Sequence, residues 1–235
     1  MKKILITITF FTLMIMTVKA NDTTLVLHYL VKEPIVKSEN TPVLILLHGV
    51  GSNEQDLFSL TNQLPDNYLI ISARAPISLG GNSFAWYQVD FSTGKPVFNF
   101  EQEENSRAIL TKFITQIKEK YAVSDKIYLG GFSQGAIMSY SVGLIRPDLV
   151  KGIAVLSGRM LEEIKPLIAS NDKLKDLKVF ISHGTNDQVL NIQYARTSAA
   201  FLKTLNVNPT YHEYTEMHRI NNDMLSDLVK WVNGN

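Results

Sequence analysis

The sequence predicts an α/β fold built on a mainly parallel central sheet with helices on both faces. Short, nearly continuous apolar runs alternate with longer segments of helical periodicity along the chain. An apolar run of strand length is typical of a strand covered on both faces, as in a parallel sheet. Regular alternation of such strands with helices is typical of α/β proteins. The chain has 235 residues, 45% of them hydrophobic, which suits a single domain.

Strands are predicted wherever an apolar run has strand length. The first segment alternates only loosely between apolar and polar residues, which suits a strand at the sheet edge, whereas most of the others suit buried positions. In chain order the predicted strands cover residues 23–30, 42–47, 68–72, 127–129, 152–156, 177–182 and 210–214.

Helices are predicted for most of the intervals between these strands. Ser52 and Gln55 have the spacing of a capping box, which predicts a helix start, and Pro147 ends the helix that precedes it. The segment 80–100 breaks the alternation because it is rich in aromatic residues and interrupted by Gly and Pro, so a loop or hairpin is expected there. The predicted helices cover residues 52–64, 101–121, 136–145, 161–169, 191–205 and 222–232.

The first 20 residues are predicted to be a secretory signal peptide. Lys2 and Lys3 precede an apolar run over residues 4–18, and Val18-Lys19-Ala20 resembles a cleavage site. This run is shorter than the about 20 residues that a transmembrane helix needs. We therefore expect an exported protein, periplasmic or secreted, whose domain of residues 21–235 does not insert stably into a membrane. An uncleaved N-terminal anchor is the alternative.

The composition excludes several functional classes. The 23 basic and 22 acidic residues give a net charge of +1, and no basic stripe indicates a nucleic-acid partner. The absence of cysteine excludes thiol catalysis and cysteine-ligated zinc. No pair of histidines has the spacing typical of a zinc hydrolase, so no metal site is predicted. The oligomeric state is left open by the sequence.

Gly131-Phe132-Ser133-Gln134-Gly135 stands between a predicted strand and a predicted helix and matches the Gly-x-Ser-x-Gly pattern of a nucleophile elbow. The chain must reverse sharply there, and a Cβ at either glycine would crowd the neighbouring backbone. The helix N-terminus and the Gln134 N–H would then face any negative charge that forms beside Ser133. A glycine-rich turn with an inert serine is the alternative, but the flanking strand and helix favour a nucleophile.

A serine hydroxyl needs a base and an acid that orients the base. In folds that use this elbow the chain order is Ser, acid, His, with each group after a strand. Asp187 follows the predicted strand 177–182, where the acid is expected. Asp172 and Asp176 precede that strand and would lie at its wrong end. Asp187 is therefore the predicted acid.

Only two of the five histidines, His212 and His218, follow Asp187. His212 falls inside the last predicted strand, whereas His218 lies just beyond it and before the final helix. The order and placement therefore predict His218 as the base. His48 and His183 are expected to be structural, with His48 holding the loop after the strand 42–47.

The oxyanion that forms during acyl transfer needs two preorganised N–H donors. The backbone of Gln134, next to the nucleophile, is the first candidate. The second is expected from the loop after the strand 42–47, where Gly49 lets the backbone approach closely. Val50 is the predicted donor in that loop.

In combination, these motifs resemble the phospholipase/carboxylesterase family of α/β-hydrolases, which includes acyl-protein thioesterases. The resemblance covers nearly all of the mature chain and implies a serine hydrolase that needs no metal or other cofactor. It also implies Ser133, Asp187 and His218 as the triad. Val50 and Gln134 match the oxyanion positions, whereas Met217 stands where the family usually has Gly. The matching motifs are LLHGVGSNEQDL (46–57), RAP (74–76), FAWY (84–87), GGFSQGA (130–136), LSGR (156–159) and HGTND (183–187).

We therefore expect an enzyme that cleaves carboxylic esters of small molecules through an acyl-enzyme intermediate. An acyl thioesterase or lysophospholipase on the same triad is the alternative, and a non-catalytic binding module is disfavoured because no triad member is missing. The interval between the strands 152–156 and 177–182 is too short for a cap domain, so loops should cover the site. Residues expected to form an apolar pocket, each of which could equally belong to the core, are Phe84, Trp86, Met160 and Leu161.

Overall fold

A seven-stranded sheet forms the centre of the computed structural model, which describes residues 25–38, 40–90, 92, 97–121 and 123–234. One edge pair of strands is antiparallel, and the other pairs in this sheet are parallel. The predicted fold class is therefore confirmed. In chain order the strands are β1 (Tyr29–Lys32), β2 (Val43–Leu47), β3 (Leu69–Ala73), β4 (Ile77–Gly80), β5 (Ser83–Ala85), β6 (Val89–Asp90), β7 (Val97–Phe98), β8 (Ile127–Phe132), β9 (Gly152–Leu156), β10 (Lys178–Gly184) and β11 (Thr210–Tyr214).

The central sheet has the strand order β1-β3-β2-β8-β9-β10-β11. All residues of β2, β3 and β9 are buried, as their continuous apolar sequences predict, whereas β1 at the edge is only partly buried. On β2, Val43 and Ile45 face one core layer and Leu44 faces the other, because alternate side chains point to opposite faces. The carboxyl ends of the parallel strands meet at one edge of the sheet, where ligand sites of open α/β sheets lie.

Helices cover both faces of the sheet. They are α1 (Glu54–Phe58), α2 (Phe100–Tyr121), α3 (Gln134–Ile145), α4 (Asn171–Leu174), α5 (Ile192–Thr204) and α6 (Asn222–Val232), with 3-10 turns over Thr61–Gln63 and Glu162–Leu167. Helices α2, α3 and α5 pack into the core layer that contains Val43, and α1 and α6 pack into the layer that contains Leu44. Between β9 and β10 the described chain holds only a 3-10 turn and α4, so no cap domain is present there, as predicted.

The first helix is shorter than predicted, and a different residue caps it. The Asn53 side chain accepts a hydrogen bond from the Gln55 N–H at 2.9 Å, so Asn53 is the N-cap. Ser52 donates instead to the Asp56 carboxylate at 2.9 Å. The prediction of one continuous helix over residues 52–64 was therefore wrong, since α1 ends at Phe58 and only a 3-10 turn follows.

Other boundaries differ in ways that matter for the site. The predicted helix over 161–169 is a 3-10 turn that contains Pro166, which cannot donate a helical hydrogen bond. Strand β10 extends to Gly184 and so includes His183. The aromatic segment forms two small hairpins, β4–β5 and β6–β7, consistent with the predicted loop or hairpin. The edge strand β1 begins at Tyr29, later than the predicted start at residue 23.

The predicted signal peptide, residues 1–20, lies outside the described residues. Within the part of the chain that the structure describes, no helix has the length and apolar character needed to cross a bilayer.

Candidate active site

The turn from β8 to α3 holds Ser133 in a strained backbone conformation, with φ 54° and ψ −115°. Glycines on either side make this turn possible. A Cβ on Gly131 would lie 2.3 Å from the Gly135 carbonyl carbon, and a Cβ on Gly135 would lie 2.0 Å from the Leu47 carbonyl oxygen. The Ser133 N–H donates to the Leu156 carbonyl at 3.0 Å. The nucleophile elbow is therefore held between β2 and β9, and its strain is typical of a functional site.

The structure brings the three predicted triad residues into one chain of hydrogen bonds. His218 Nε2 lies 2.9 Å from Ser133 Oγ, and His218 Nδ1 lies 2.7 Å from Asp187 Oδ2. Because an ionised carboxylate can only accept, Nδ1 carries the proton in a neutral imidazole and Nε2 is free to accept from the serine hydroxyl. This is the protonation pattern that a serine nucleophile requires of its base.

The second oxygen of Asp187 fixes the orientation of the acid. Asp187 Oδ1 accepts hydrogen bonds from the Val189 and Leu190 N–H groups, both at 2.8 Å. The Asp187 side chain is fully buried, and Oδ2 is left to face His218. The carboxylate is therefore placed by the turn that follows β10, as the sequence predicted for the acid's position in the chain.

The ring of Phe132 packs beside the base. Its centroid lies 4.9 Å from the His218 ring centroid. Met217, in the preceding position, is exposed, and its backbone φ is not positive. The loop before His218 therefore has no conformational need for glycine at position 217. Instead the close approach is made by Gly184, where a Cβ would lie 2.3 Å from the Glu216 carbonyl oxygen.

Gln134 directly follows the nucleophile and is the first residue of α3, so its N–H has no partner within the helix. The Gln134 side chain has a separate task that the sequence did not reveal. Its Oε1 accepts from the Trp86 N–H at 2.8 Å, and its Nε2 donates to the Tyr87 carbonyl at 2.7 Å. These two bonds tie the elbow to the segment that follows β5.

Val50 lies in the loop after β2, close to the elbow. A Cβ on the adjacent Gly49 would be 3.4 Å from Ser133 Cβ, so the backbone passes directly beside the nucleophile. Within the described ranges the Val50 N–H makes no hydrogen bond. An unbonded N–H beside Ser133, together with that of Gln134, can serve as a pair of oxyanion donors.

His48 fixes the loop that carries Val50. The Ala75 N–H donates to His48 Nε2 at 3.0 Å, so Nδ1 carries the proton and donates to the Gly49 carbonyl at 2.7 Å. Burial lowers the pKa of His48, which favours this neutral form. Trp86 Nε1 donates to the His48 carbonyl at 3.0 Å. The loop beside the nucleophile is thus held by buried hydrogen bonds.

The predicted pocket residues divide into two groups. Trp86 and Leu161 are fully buried, so both belong to the core and cannot contact a substrate without rearrangement. The indole of Trp86 instead donates its hydrogen bond to the His48 carbonyl and so helps to fix that loop. Phe84 is partly buried, with the Arg74 guanidinium 4.6 Å from its ring centroid. Met160 lines a cavity of about 390 Å³ between the Glu162–Leu167 turn and α5.

A second cavity, of about 630 Å³, begins at Val50 and is bounded by the β4–β5 and β6–β7 hairpins. Its position beside a predicted oxyanion donor makes it a candidate substrate groove. Within the described ranges, no group of three or more His, Cys, Asp or Glu side chains could hold a metal ion. Residues that line this second cavity include Val50, Leu79, Ala85, Gln88, Val97 and Phe98.

Comparisons with known proteins show the family. Residues 30–235 match the family described as phospholipase/carboxylesterase. Acyl-protein thioesterase 1 of Yarrowia lipolytica is 28% identical over 222 residues, which cover 85% of this chain and 94% of that protein. Acyl-protein thioesterase 1 of Candida albicans is 28% identical over 225 residues, which cover 86% and 95%.

Solved structures share the fold. The carboxylesterase of Bacillus cereus has a TM-score of 0.76 at 22% identity and covers 88% of this chain and 93% of its own. The carboxylesterase from Mesorhizobium loti has a TM-score of 0.78 at 20% identity and covers 91% and 97%. The family match extends over all but the first 29 residues. The chain is therefore a carboxylic ester hydrolase, and it belongs to the phospholipase/carboxylesterase family of α/β-hydrolases.

Proposed function

We propose that this chain hydrolyses carboxylic esters through an acyl-enzyme intermediate on Ser133. The supporting observation is the hydrogen-bonded chain in which His218 Nε2 lies 2.9 Å from Ser133 Oγ and Nδ1 lies 2.7 Å from Asp187. As Oγ attacks the ester carbonyl carbon, His218 takes the hydroxyl proton and Asp187 stabilises the resulting imidazolium.

The developing negative charge on the carbonyl oxygen would be bound by two backbone donors, the N–H groups of Gln134 and Val50. When the tetrahedral intermediate collapses, the bond from the carbonyl carbon to the leaving oxygen breaks. His218 gives its proton to that oxygen, and the alcohol departs. His218 next takes a proton from water, which attacks the acyl carbon. The bond to Ser133 Oγ then breaks, the proton returns to the serine, and a carboxylic acid is released.

Small-molecule esters are the first substrate class that we propose. Thioesters are the second, because the relatives from Yarrowia lipolytica and Candida albicans are named acyl-protein thioesterases. The same acyl-enzyme cycle cleaves both bonds, with a thiol in place of the alcohol as leaving group. A panel of matched oxygen and sulfur esters with the same acyl chain would measure the preference between these classes.

Covalent labelling tests the proposed nucleophile. A fluorophosphonate probe should modify wild-type protein at Ser133, because only an activated serine attacks such a probe. Ser133→Ala should abolish labelling and lower kcat on 4-nitrophenyl butyrate by about 10⁴-fold or more, and Asp187→Asn should also cause a large loss. Ser139, whose buried hydroxyl donates to the Gly135 carbonyl, supplies a control, and Ser139→Ala should still be labelled. Wild-type turnover by Ser133→Ala would refute the proposal.

Export is a separate proposal that rests on the sequence of the N-terminus. Two lysines, a short apolar run and a small-residue cleavage pattern support removal of residues 1–20 by a signal peptidase. Intact mass measurement of the protein recovered from its native host should give a chain that starts near Asn21. Recovery of the uncleaved chain from the membrane fraction would favour the anchor.

A further inference from the structure

We propose that Arg159 binds an anionic group, a carboxylate or a phosphate, carried by the ester substrate at a point away from the scissile bond. This inference rests on the proposed function and concerns which esters the same site accepts. Arg159 stands at the carboxyl end of β9, three residues after Leu156, whose carbonyl accepts the Ser133 N–H. The arginine and the nucleophile therefore lie at the same edge of the sheet.

The backbone around Arg159 is fixed against the elbow helix. A Cβ on Gly158 would lie 2.6 Å from Ala136 Cβ, so this segment packs on the first turn of α3. Ser157 has a φ of 51° and donates its N–H to the Ser182 carbonyl at 2.8 Å. On the other side, the Met160 N–H donates to Ser198 Oγ at 3.3 Å. The backbone at Arg159 is therefore fixed by contacts of the residues on both sides.

The Arg159 side chain lies between two aromatic rings that belong to different cavities. Its guanidinium carbon is 5.4 Å from the ring centroid of Tyr194 and 5.8 Å from that of Phe98. Tyr194 lines the cavity beside Met160, and Phe98 lines the cavity that begins at Val50. The guanidinium therefore lies between a wall residue of one cavity and a wall residue of the other, and among the described residues its N–H groups have no hydrogen-bond acceptor.

The charge of Arg159 is unpaired among the described residues, which distinguishes it from every other arginine. No carboxylate in those ranges lies within 4.0 Å of its guanidinium, and the nearby Glu162 is paired with Lys165 at 2.6 Å. The charge nevertheless acts on its surroundings. Burial raises the pKa of Tyr87, and the positive charge of Arg159 partly offsets this rise. The arginines with a carboxylate partner are Arg74, Arg107, Arg146, Arg196 and Arg219.

An unpaired guanidinium between aromatic rings suits an anion with two oxygens that can accept parallel hydrogen bonds. Arginine binds carboxylates and phosphates through two parallel N–H donors, and its weak hydration keeps the cost of desolvation low. The alternative is a purely structural role, in which the cation joins β7 to α5 by packing between the Phe98 and Tyr194 rings. Such a role would require no carboxylate and would give no preference for charged substrates. The two roles therefore differ in substrate selectivity.

Two substrate series test the inference and identify which end of the ester carries the anion. The first compares 4-methylumbelliferyl monoesters of linear diacids, from succinate to suberate, with uncharged acyl esters of matched length. The second compares 4-acetoxybenzoate with its methyl ester. In at least one series, wild-type kcat/KM should favour the anionic member by about tenfold or more, and added salt should reduce this preference.

Arg159→Gln should remove this preference, lowering the ratio of anionic to neutral kcat/KM by about tenfold to a hundredfold, and Arg159→Lys should retain part of it. Arg146→Gln removes a cation paired with Asp148 at the far end of α3, so its ratio should equal that of the wild type. If neutral esters are cleaved and Arg159→Gln leaves the ratio unchanged, or if wild type shows no preference in either series, the inference is wrong and the proposed function stands. Failure to cleave any ester, with no labelling of Ser133, would overturn both.

Discussion

His183 lies directly behind the acid of the triad, with its Nε2 3.2 Å from Asp187 Oδ2 and 2.7 Å from the Leu190 carbonyl. The imidazole is fully buried, and burial lowers its pKa, so the ring is neutral. Its single proton is on Nε2 and is donated to Leu190, whose N–H in turn donates to Asp187. His183 thus holds the turn that positions the acid.

We predict that His183→Ala lowers kcat about tenfold with little change in KM, because the Asp187 turn loses its support while the groove is untouched. His183→Gln should recover part of this loss, since the Gln amide can still donate near the Nε2 position. Steady-state kinetics of both variants, with melting temperatures to verify folding, provide the measurement. Equal kcat values for the two variants would argue against a role for this hydrogen bond.

The sequence reveals roles that depend on chain order and misses those that depend on distant contacts. Asp187 and His218 can be chosen because an elbow fold fixes the order and strand positions of the triad. His183 has no comparable local signal. Its role becomes visible only when β10 extends past residue 182 and the turn folds back over the ring. The two hydrogen bonds between the Gln134 side chain and the backbone of Trp86 and Tyr87 join residues about 48 positions apart. The sequence does not reveal them for the same reason.

Local competition between polar side chains explains the error at the first helix. Ser52 and Asn53 are both good N-cap residues, and the capping-box spacing favoured Ser52. In the structure Ser52 forms an isolated bridge with Phe84 in the β5 strand, which commits its backbone to an extended path. Asn53 is then the first residue free to cap. A tertiary contact therefore decided between two locally equivalent choices.

The oxyanion role of Val50 can be tested by removing only its N–H. Val50→Pro deletes the donor and should lower kcat by about 10²-fold to 10³-fold while KM changes little. Val50→Ala retains the N–H and should keep kcat near the wild-type value. Because proline also restricts the preceding Gly49, thermal unfolding should be compared for both variants. A Val50→Pro protein that is folded and fully active would place the second donor elsewhere.

Two adjacent glycines in β8 should respond very differently to one added methyl group. A Cβ on Gly131 would lie 2.3 Å from backbone atoms of Gly135, whereas a Cβ on Gly130 would meet side chains at 3.6 Å. Gly131→Ala should therefore lower the free energy of unfolding by about 3 kcal/mol and abolish probe labelling. Gly130→Ala should be close to wild type in both respects. Chemical denaturation and fluorophosphonate labelling of the pair check this, and equal behaviour would contradict the elbow geometry.

A buried ion pair should make stability depend on pH. Glu54 is almost fully buried, and Arg74 donates to both of its oxygens, at 2.5 Å and 2.6 Å. These hydrogen bonds lower the pKa of Glu54 below its ordinary value of 4.5. A carboxyl with a lowered folded pKa contributes stability above its unfolded pKa, and this contribution is lost as the pH falls through the folded value.

Glu54→Gln should accordingly destabilise the protein by about 2 kcal/mol near pH 7, a value reduced by the partial exposure of Arg74. The difference from wild type should shrink as the pH falls below 4.5, where Glu54 of the unfolded chain takes up a proton, and should vanish below the lowered pKa of the folded protein. Glu162→Gln, which breaks an exposed pair with Lys165, should change stability little at any pH. Urea unfolding at several pH values measures this, and a constant difference across the range would contradict the assigned role of Arg74.

The candidate substrate groove, the cavity that begins at Val50, has walls but no lid in the described chain. Only the Glu162–Leu167 turn and the four-residue helix α4 stand between β9 and β10, where a cap would be inserted. The cavity beside Val50 is bordered by apolar side chains that include Leu79 and Phe98. Without a cover to displace, the site is equally accessible to dissolved substrate before and after an oil–water interface forms.

We therefore predict that esters with short to medium acyl chains are the best substrates and that an interface brings no abrupt gain in rate. Each methylene added to the acyl chain should raise kcat/KM, because the apolar walls bind it. Once the acyl chain is longer than the groove, kcat/KM should stop rising. Rates should be measured for 4-nitrophenyl esters from acetyl to palmitoyl, across the solubility limit of each. Smooth saturation through that limit is the expected result. A sharp rise at the limit, or the highest turnover on long-chain triglyceride, would mean that a mobile element covers Ser133 and opens at the interface.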